Sequence, residues 1–344
     1  MKAAVIREFG APEVLLYEEV ETPRPRPSHV LVKLLAAGIN RLDHYLREGS
    51  ISRDLALPHI LGADGVGEVA ELGRDVGGFE PGQRVIVVPG YPLDPADYDV
   101  DPASTAASFG LPGFHVQGTY AQYIEVPARF LVADLTGLPS EQAATLPMVL
   151  ATSVRAVKEV GGVKPGDAVL VQAGGSGSGS MQLQVARALG ARVATTVRDD
   201  AKAELARNLG AELVINTRRD NLVERVRAWT DGRGADVVVD NLGGDVLAAS
   251  IEAARPQGVV VAYGFAAGPQ VSFDVRSLFF QQKSLKGSMA SDKSDLLWGL
   301  EQVRAGKVRA VLDRALALAE AAAAHRLVAD NRVAGNLVLL PWAA

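Results

Sequence analysis

The chain contains no cysteine. That one absence excludes disulfides, thiolate nucleophiles and cysteine-ligated zinc together. An excess of positive charge is also lacking. The 35 Lys and Arg against 40 Asp and Glu leave a net charge of −5, the wrong sign for gripping phosphate backbones, so no nucleic-acid partner is expected. No apolar run approaches the roughly 18 residues of a membrane span, so no membrane partner is expected either. The opening MKAAVIREFG places Arg7 and Glu8 where a secretory segment needs unbroken apolar residues, which points to a cytoplasmic protein. There are no internal repeats, no low-complexity linker, and no Ser, His and Asp spaced for hydrolysis.

What is present reads as a globular enzyme. At 344 residues the chain has room for about two domains, each with its own core. Its 35 glycines predict many tight turns. The first 130 residues are β-rich, with strands at Lys2–Ile6 and Val30–Ala36 and a bent, glycine-alternating strand within Leu61–Leu72. PGQRVIVV at 81–88 is a turn followed by a buried strand. Residues 89–118 form a Pro/Asp/Ser-rich excursion, long enough to be a lid, a lobe or a disordered insert.

From about Ser140 the pattern changes to helices (Ser140–Leu146, Ala151–Val160) alternating with apolar runs. These runs are Ala168–Val171, Arg192–Val197, Leu213–Ile215, Val237–Val239 and Val259–Tyr263. Strands spaced by helices predict a doubly wound parallel sheet, an α/β domain following a β-rich one. After Leu285–Met289 come helices near Leu296–Ala305 and Leu318–Leu327 and a last strand at Asn336–Leu340.

The most informative stretch is VLVQAGGSGSGS at Val169–Ser180. A strand enters a glycine/serine turn, and an apolar-periodic helix and a second strand follow. This is the βαβ unit whose helix N-terminus meets a pyrophosphate. Gly174, Gly177 and Gly179 allow the close approach, and Ser176 and Ser178 offer hydroxyls to phosphate oxygens. The second strand ends Thr195-Thr196-Val197-Arg198, without the carboxylate that would accept a ribose 2′-OH. Arg198 and Lys202 supply cations for a 2′-phosphate instead, which points to NADP(H), while Asp199 and Asp200 fit the cap of the next helix.

Six motifs in order carry a family resemblance: AAGINRLDHYLREG at 36–49, LPHILGADGVGEV at 57–69, QGTYAQY at 117–123, AATLPMVLATS at 143–153, the glycine turn, and DVVVDNLGG at 236–244. The chain resembles the medium-chain dehydrogenase/reductase superfamily, in its zinc-free quinone oxidoreductase branch. The resemblance implies a GroES-like catalytic domain from residues 1–148 and 291–344 and a Rossmann NADP-binding domain from 149–290. It implies cofactor contacts from Thr152 and Asn336, beside Asn241 and Gly264-Phe265, which also stand at the carboxyl ends of predicted strands. It implies a homodimer through the edge strand at Ser284–Met289.

The resemblance also locates what is missing. The positions of the catalytic zinc ligands in related alcohol dehydrogenases fall on Asn40, Ala63 and Met148, with Asp64 replacing a nearby Glu and Leu42 replacing a proton-relaying hydroxyl. No metal is expected there. An activated acceptor, a quinone or α,β-unsaturated carbonyl, takes a hydride from NADPH without a Lewis acid, given donors for its oxygen. Asn40 and Tyr45 are the candidate donors; Asp43 and Arg47, four residues apart, also suit a simple helical ion pair. The alternatives are an NADPH-binding sensor or structural protein without turnover, and an alcohol dehydrogenase holding metal through Asp43, His44, His59 or Asp64.

Overall fold

A computed structural model describes residues 1–343. The chain divides into two compact units: Met1–Met148 with Ser291–Leu300 and the chain from Ala310 onward, and Val149–Ala290 with Glu301–Arg309.

In the first unit, β1 (Lys2–Ile6) pairs antiparallel with β2 (Leu15–Glu19). The long strand β3 (His29–Ile39) runs into α1 (Arg41–Glu48), which ends at Gly49 in the left-handed region, φ 69°. β4 (His59–Ile60) completes a sheet ordered β2-β1-β4. β5 (Asp64–Leu72) lies antiparallel to β3 with two register shifts, the bend its glycine-alternating sequence predicts. β6 (Arg84–Val87) follows. Residues 89–118 form a folded lobe, closed by the pair β7 (Tyr91–Pro92) and β8 (Phe109–Gly110) and anchored where Phe130 stacks on Tyr91 at 4.7 Å. β9 (Tyr123–Pro127), β10 (Leu131–Ala133) and α2 (Ser140–Ala143) lead to α3 (Pro147–Val154), which passes into a π-helical turn, Arg155–Val160.

The second unit is the βαβ succession expected: β11 (Ala168–Val171), α4 (Gly177–Ala188), β12 (Arg192–Val197), α5 (Asp200–Asn208), β13 (Leu213–Asn216), α6 (Leu222–Trp229), β14 (Ala235–Asp240), α7 (Gly244–Ala253), β15 (Ala254–Ala262), α8 (Arg276–Phe279) and β16 (Ser284–Gly287). Its sheet is ordered β13-β12-β11-β14-β15-β16, with every pairing parallel. The order reverses between β11 and β14, so the crevice beyond their carboxyl ends is the ligand position of such sheets. β11 is buried at all four residues, as a central parallel strand requires.

The chain then forms α9 (Lys293–Arg304), β17 (Leu312–Ala317), α10 (Ala321–Ala329) and β18 (Asn336–Leu340). β18 pairs antiparallel with β3, and the larger sheet of the first unit runs β10-β6-β5-β3-β18-β17, with β9 also on β3. That is a GroES-like β domain closed by the end of the chain, and the second unit is a Rossmann domain. A core of Ile6, Leu46, Leu61, Ala324 and Leu339 draws on both ends of the chain. Among the described residues no helix is long and apolar enough to cross a membrane.

Candidate active site

In the first unit the residues around Asn40 build a buried polar cluster. Asn40 precedes α1, and its backbone N–H donates to Asp43 Oδ2 at 2.8 Å, which fixes the first turn of the helix. Its side-chain Nδ2 donates to Asp64 Oδ2 at 2.9 Å. The other oxygen of Asp64 accepts the Met148 N–H at 2.7 Å, so both carboxyl oxygens are engaged. Asp64 stands at the start of β5 opposite Gly38 of β3, where a glycine is required: a Cβ on Gly38 would lie 2.3 Å from the Ala144 carbonyl and 2.9 Å from Asp64 Cβ. Burial pushes the Asp64 carboxyl up to about 7, against the pull of the Asn40 amide and the Met148 N–H, and the nearby Asp43 adds to the rise.

Asp43 does not pair with Arg47. It accepts from Asn40 N–H, from the backbone of Gly62 and from the Tyr120 hydroxyl at 2.8 Å, while burial raises it to about 6. Arg47, fully buried, turns instead to Glu48 at 2.8 Å and to His44 Nδ1 at 3.1 Å. The helical ion pair therefore gives way to two separate contacts, because the Asp43 carboxyl is already engaged by Asn40, Gly62 and Tyr120. Behind Tyr120, His325 Nε2 lies 3.3 Å from the phenol oxygen, and burial depresses that imidazole to about 3. Tyr45 is half-buried on α1, tilted against His44 at 5.6 Å.

The positions at which the resemblance places zinc ligands, Asn40, Ala63 and Met148, carry a carboxamide, a methyl group and a thioether. The carboxamide nitrogen is committed to Asp64, and among the described residues no group of three His, Asp or Glu could take the place of these ligands. This donor set does not fit a tetrahedral zinc.

In the second unit the glycine turn caps α4 through Ser176. Its Oγ accepts the Gly179 N–H at 3.1 Å and donates to the Ala173 carbonyl at 2.8 Å. The Ser176 hydroxyl expected for a phosphate is thus spent inside the turn, as an N-cap. What remains for an anion is the backbone: helix geometry leaves the Gly177 and Ser178 amides without acceptors in their own helix. Gly174 and Gly179 earn their place by contact, since a Cβ would meet Thr195 Oγ1 at 2.2 Å in one and the Ala173 carbonyl at 2.1 Å in the other.

The Lys202 stem lies over the turn, its Cβ 2.5 Å from where a Cβ on Gly175 would be. Arg198 is exposed at the end of β12. Asp199 accepts the Lys202 N–H at 2.9 Å as the N-cap of α5, as expected, so its carboxylate is turned to the helix. Beyond β14 and β15, the Tyr263 hydroxyl meets the side chains of Ser178, Gln182 and Asn241, and burial pushes it up to about 12. Gln182 Oε1, Asn241 Oδ1 and Ser288 Oγ are buried here without partners. The open amides at the N-terminus of α4 fit a ligand carrying anionic oxygens.

Thr152 lies half-buried on α3, and Gly264 is pressed against Asn241, where a Cβ would come within 2.3 Å of its carbonyl. Phe265 is 39% exposed just beyond. Asn336 belongs to the first unit, at the start of β18, where its buried amide donates to the Val311 carbonyl at 3.2 Å. Sequence patterns did not single out Gln182, Tyr263 or Ser288, which read there as helix, strand and strand end.

A GroES-like unit with a buried carboxyl–amide cluster and a Rossmann unit with an anion-type turn define a dehydrogenase or reductase architecture. The alcohol dehydrogenase GroES-like domain family matches residues 26–140, and the zinc-binding dehydrogenase family matches residues 177–304. The chain is 33% identical to a 2-haloacrylate reductase of Burkholderia sp, with 99% of each chain covered. It is 32% identical to a quinone oxidoreductase of Pseudomonas aeruginosa, with 97% of each covered. A solved NAD-dependent alcohol dehydrogenase superposes with a TM-score of 0.92 at 36% identity, covering 99% of each chain. The chain belongs to the medium-chain dehydrogenase/reductase superfamily, in its quinone oxidoreductase-like branch, and is an oxidoreductase of that type.

Proposed function

We propose that the chain is a zinc-independent, NADPH-dependent reductase of quinones or α,β-unsaturated carbonyls. The observation that carries this reading is the Asn40 cluster. Where a metal cage needs three strong donors, the chain has an amide tied to Asp64, a methyl and a thioether. The acceptor then has to be activated by its own conjugation, and the relatives named quinone oxidoreductase and 2-haloacrylate reductase act, by their names, on conjugated compounds.

A reduced nicotinamide, when bound, supplies the hydride. The protein's share is binding, orientation and one developing charge. Asn40 offers the amide hydrogen it does not give to Asp64 to the acceptor oxygen, and Tyr45 offers its phenol as proton donor. The Gly177 and Ser178 amides take the pyrophosphate, with Ser178 held near by Tyr263. Arg198 and Lys202 take the 2′-phosphate. Thr152, Asn241, Gly264, Phe265 and Asn336 complete the cofactor contacts that the family resemblance implies. An NAD-dependent neighbour at 36% identity favours NAD(H) as the second reading of the cofactor. β16, exposed at all four residues with β15 as its neighbour, supports a homodimer formed across that edge.

Initial rates with NADPH and with NADH, against panels of quinones and enones, test the reading. NADPH is expected to lead in kcat/KM by about tenfold or more, and replacing Arg198 and Lys202 by Glu to erase that lead, as for loss of charge-assisted contacts. Oxidation of neither nucleotide by any acceptor sinks the activity; a lead for NADH sinks the cofactor assignment.

A further inference from the structure

Behind the glycine turn, buried polar groups form one unbroken chain across three neighbouring strands. The Ala173 N–H donates to Thr196 Oγ1 at 2.9 Å, and the Thr196 hydroxyl donates to Gln172 Oε1 at 2.6 Å. Gln172 Nε2 donates to Ser250 Oγ at 2.9 Å, and the Ser250 hydroxyl donates to Asp240 Oδ2 at 2.6 Å. The other oxygen of Asp240 accepts the N–H groups of Leu242 and Gly243, both at 2.8 Å. The four side chains are at most 3% exposed, so water does not compete for any link.

The direction of every link follows from Asp240. It accepts at each of its contacts, so Ser250 donates to it and has to accept from the Gln172 amide. That sets the carboxamide with its oxygen toward Thr196, whose hydroxyl then donates and leaves a lone pair for Ala173. The two ends of the chain are backbone in conformations that need holding. Ala173 is a non-glycine residue at φ 54°, and Gly243 lies at φ 68° just before α7. None of the four side chains belongs to the turn or the loop they connect.

We infer that Thr196, Gln172, Ser250 and Asp240 are positioning residues that couple the glycine turn at 173–179 to the loop at 241–244, so that the two walls of the nucleotide crevice are set together. The inference rests on the proposed function only in taking both walls to face a bound dinucleotide.

Amide exchange in the cofactor-free protein tests the coupling without any ligand. Ser250→Ala cuts the chain in its middle and touches no atom of the turn. It is expected to speed exchange at Ala173 about five- to tenfold, the worth of one buried hydrogen bond, with no such rise at Val238 in the core of β14. Thr196→Val gives the same rise and Thr196→Ser returns it to the parent rate. In NADPH titrations followed by fluorescence, Ser250→Ala and Thr196→Val each raise Kd by a similar factor, and the double variant is no worse than the weaker-binding single. Parent-like exchange at Ala173 in Ser250→Ala, an equal rise at Val238, or Kd effects that multiply in the double variant each overturn the coupling. If the parent binds neither nucleotide while exchange at Ala173 still rises, the proposed function fails and the coupling stands.

Discussion

Asn40 is anchored from one side only. Its backbone is held by Asp43 and its Nδ2 by Asp64, which leaves the carboxamide rigid with one amide hydrogen uncommitted. A donor with no freedom to reorganise is what stabilises an oxyanion best. Asn40→Ala is therefore expected to lower kcat/KM for the acceptor about a hundredfold, with NADPH Kd within about twofold of the parent; steady-state rates and nucleotide titration check both. An equal loss in acceptor turnover and in NADPH binding would assign Asn40 to cofactor binding instead. Asn40 was legible in the sequence because a metal ligand is missing at a position the family marks. Gln172 and Ser250 were not. A buried polar residue at the end of an apolar strand looks in sequence like the strand running out, and only the fold brings it against residue 250. Ser176 was legible as a residue of the turn but not as its N-cap, since an N-cap and a phosphate donor have the same sequence signature.

At the scale of elements, α4 shows how the turn and helix depend on each other. The Ser176 cap satisfies an orphan amide at the end where an anion would sit, so it holds the N-terminus in place before any ligand arrives. Ser176→Ala should destabilise the protein by about 1 kcal/mol in urea unfolding, and Ser176→Gly by only a few tenths. Parent-like stability of Ser176→Ala would show that the side-chain cap contributes nothing. The inner strands of the parallel sheet were readable because they are buried and largely apolar, and β11 and β12 fall on the residues the pattern predicts, as does β18 in the first unit. β2, β17 and the pieces of the 89–118 lobe were not. LLYEE and LDRALA are half-exposed and rich in helix-favouring residues, and they become strands because β1 and β18 offer them a partner. β7 and β8 are two residues each, below any periodicity.

For the whole molecule, the buried carboxyls of the first unit give stability a pH dependence with a definite sign. Asp64 ordinarily titrates near 3.8 and is held at about 7 by burial. Between those values the folded protein keeps a proton that the unfolded chain has released, so stability is full below pH 3.8, falls as pH rises towards 7, and is flat above. Asp43, raised to about 6, acts in the same direction over a shorter range. His325 acts oppositely: depressed from 6.5 to about 3, it leaves stability intact above pH 6.5 and removes it as pH falls. The overlapping slopes hide one another in the parent protein, and Asp64→Asn separates them. At pH 4 the protonated carboxyl and the carboxamide are both neutral and of similar shape, so the variant and the parent differ there only by a constant. As pH rises the parent bears the cost of a buried charge that the variant never forms. The variant is therefore expected to gain on the parent by up to a few kcal/mol by pH 7.5, measured as the difference in unfolding free energy across a urea series. A difference that stays constant from pH 4 to 7.5 would mean that Asp64 is as well solvated when charged as in the unfolded chain. The Asn40 amide would then be held by an ordinary carboxylate rather than by one that burial keeps close to neutrality.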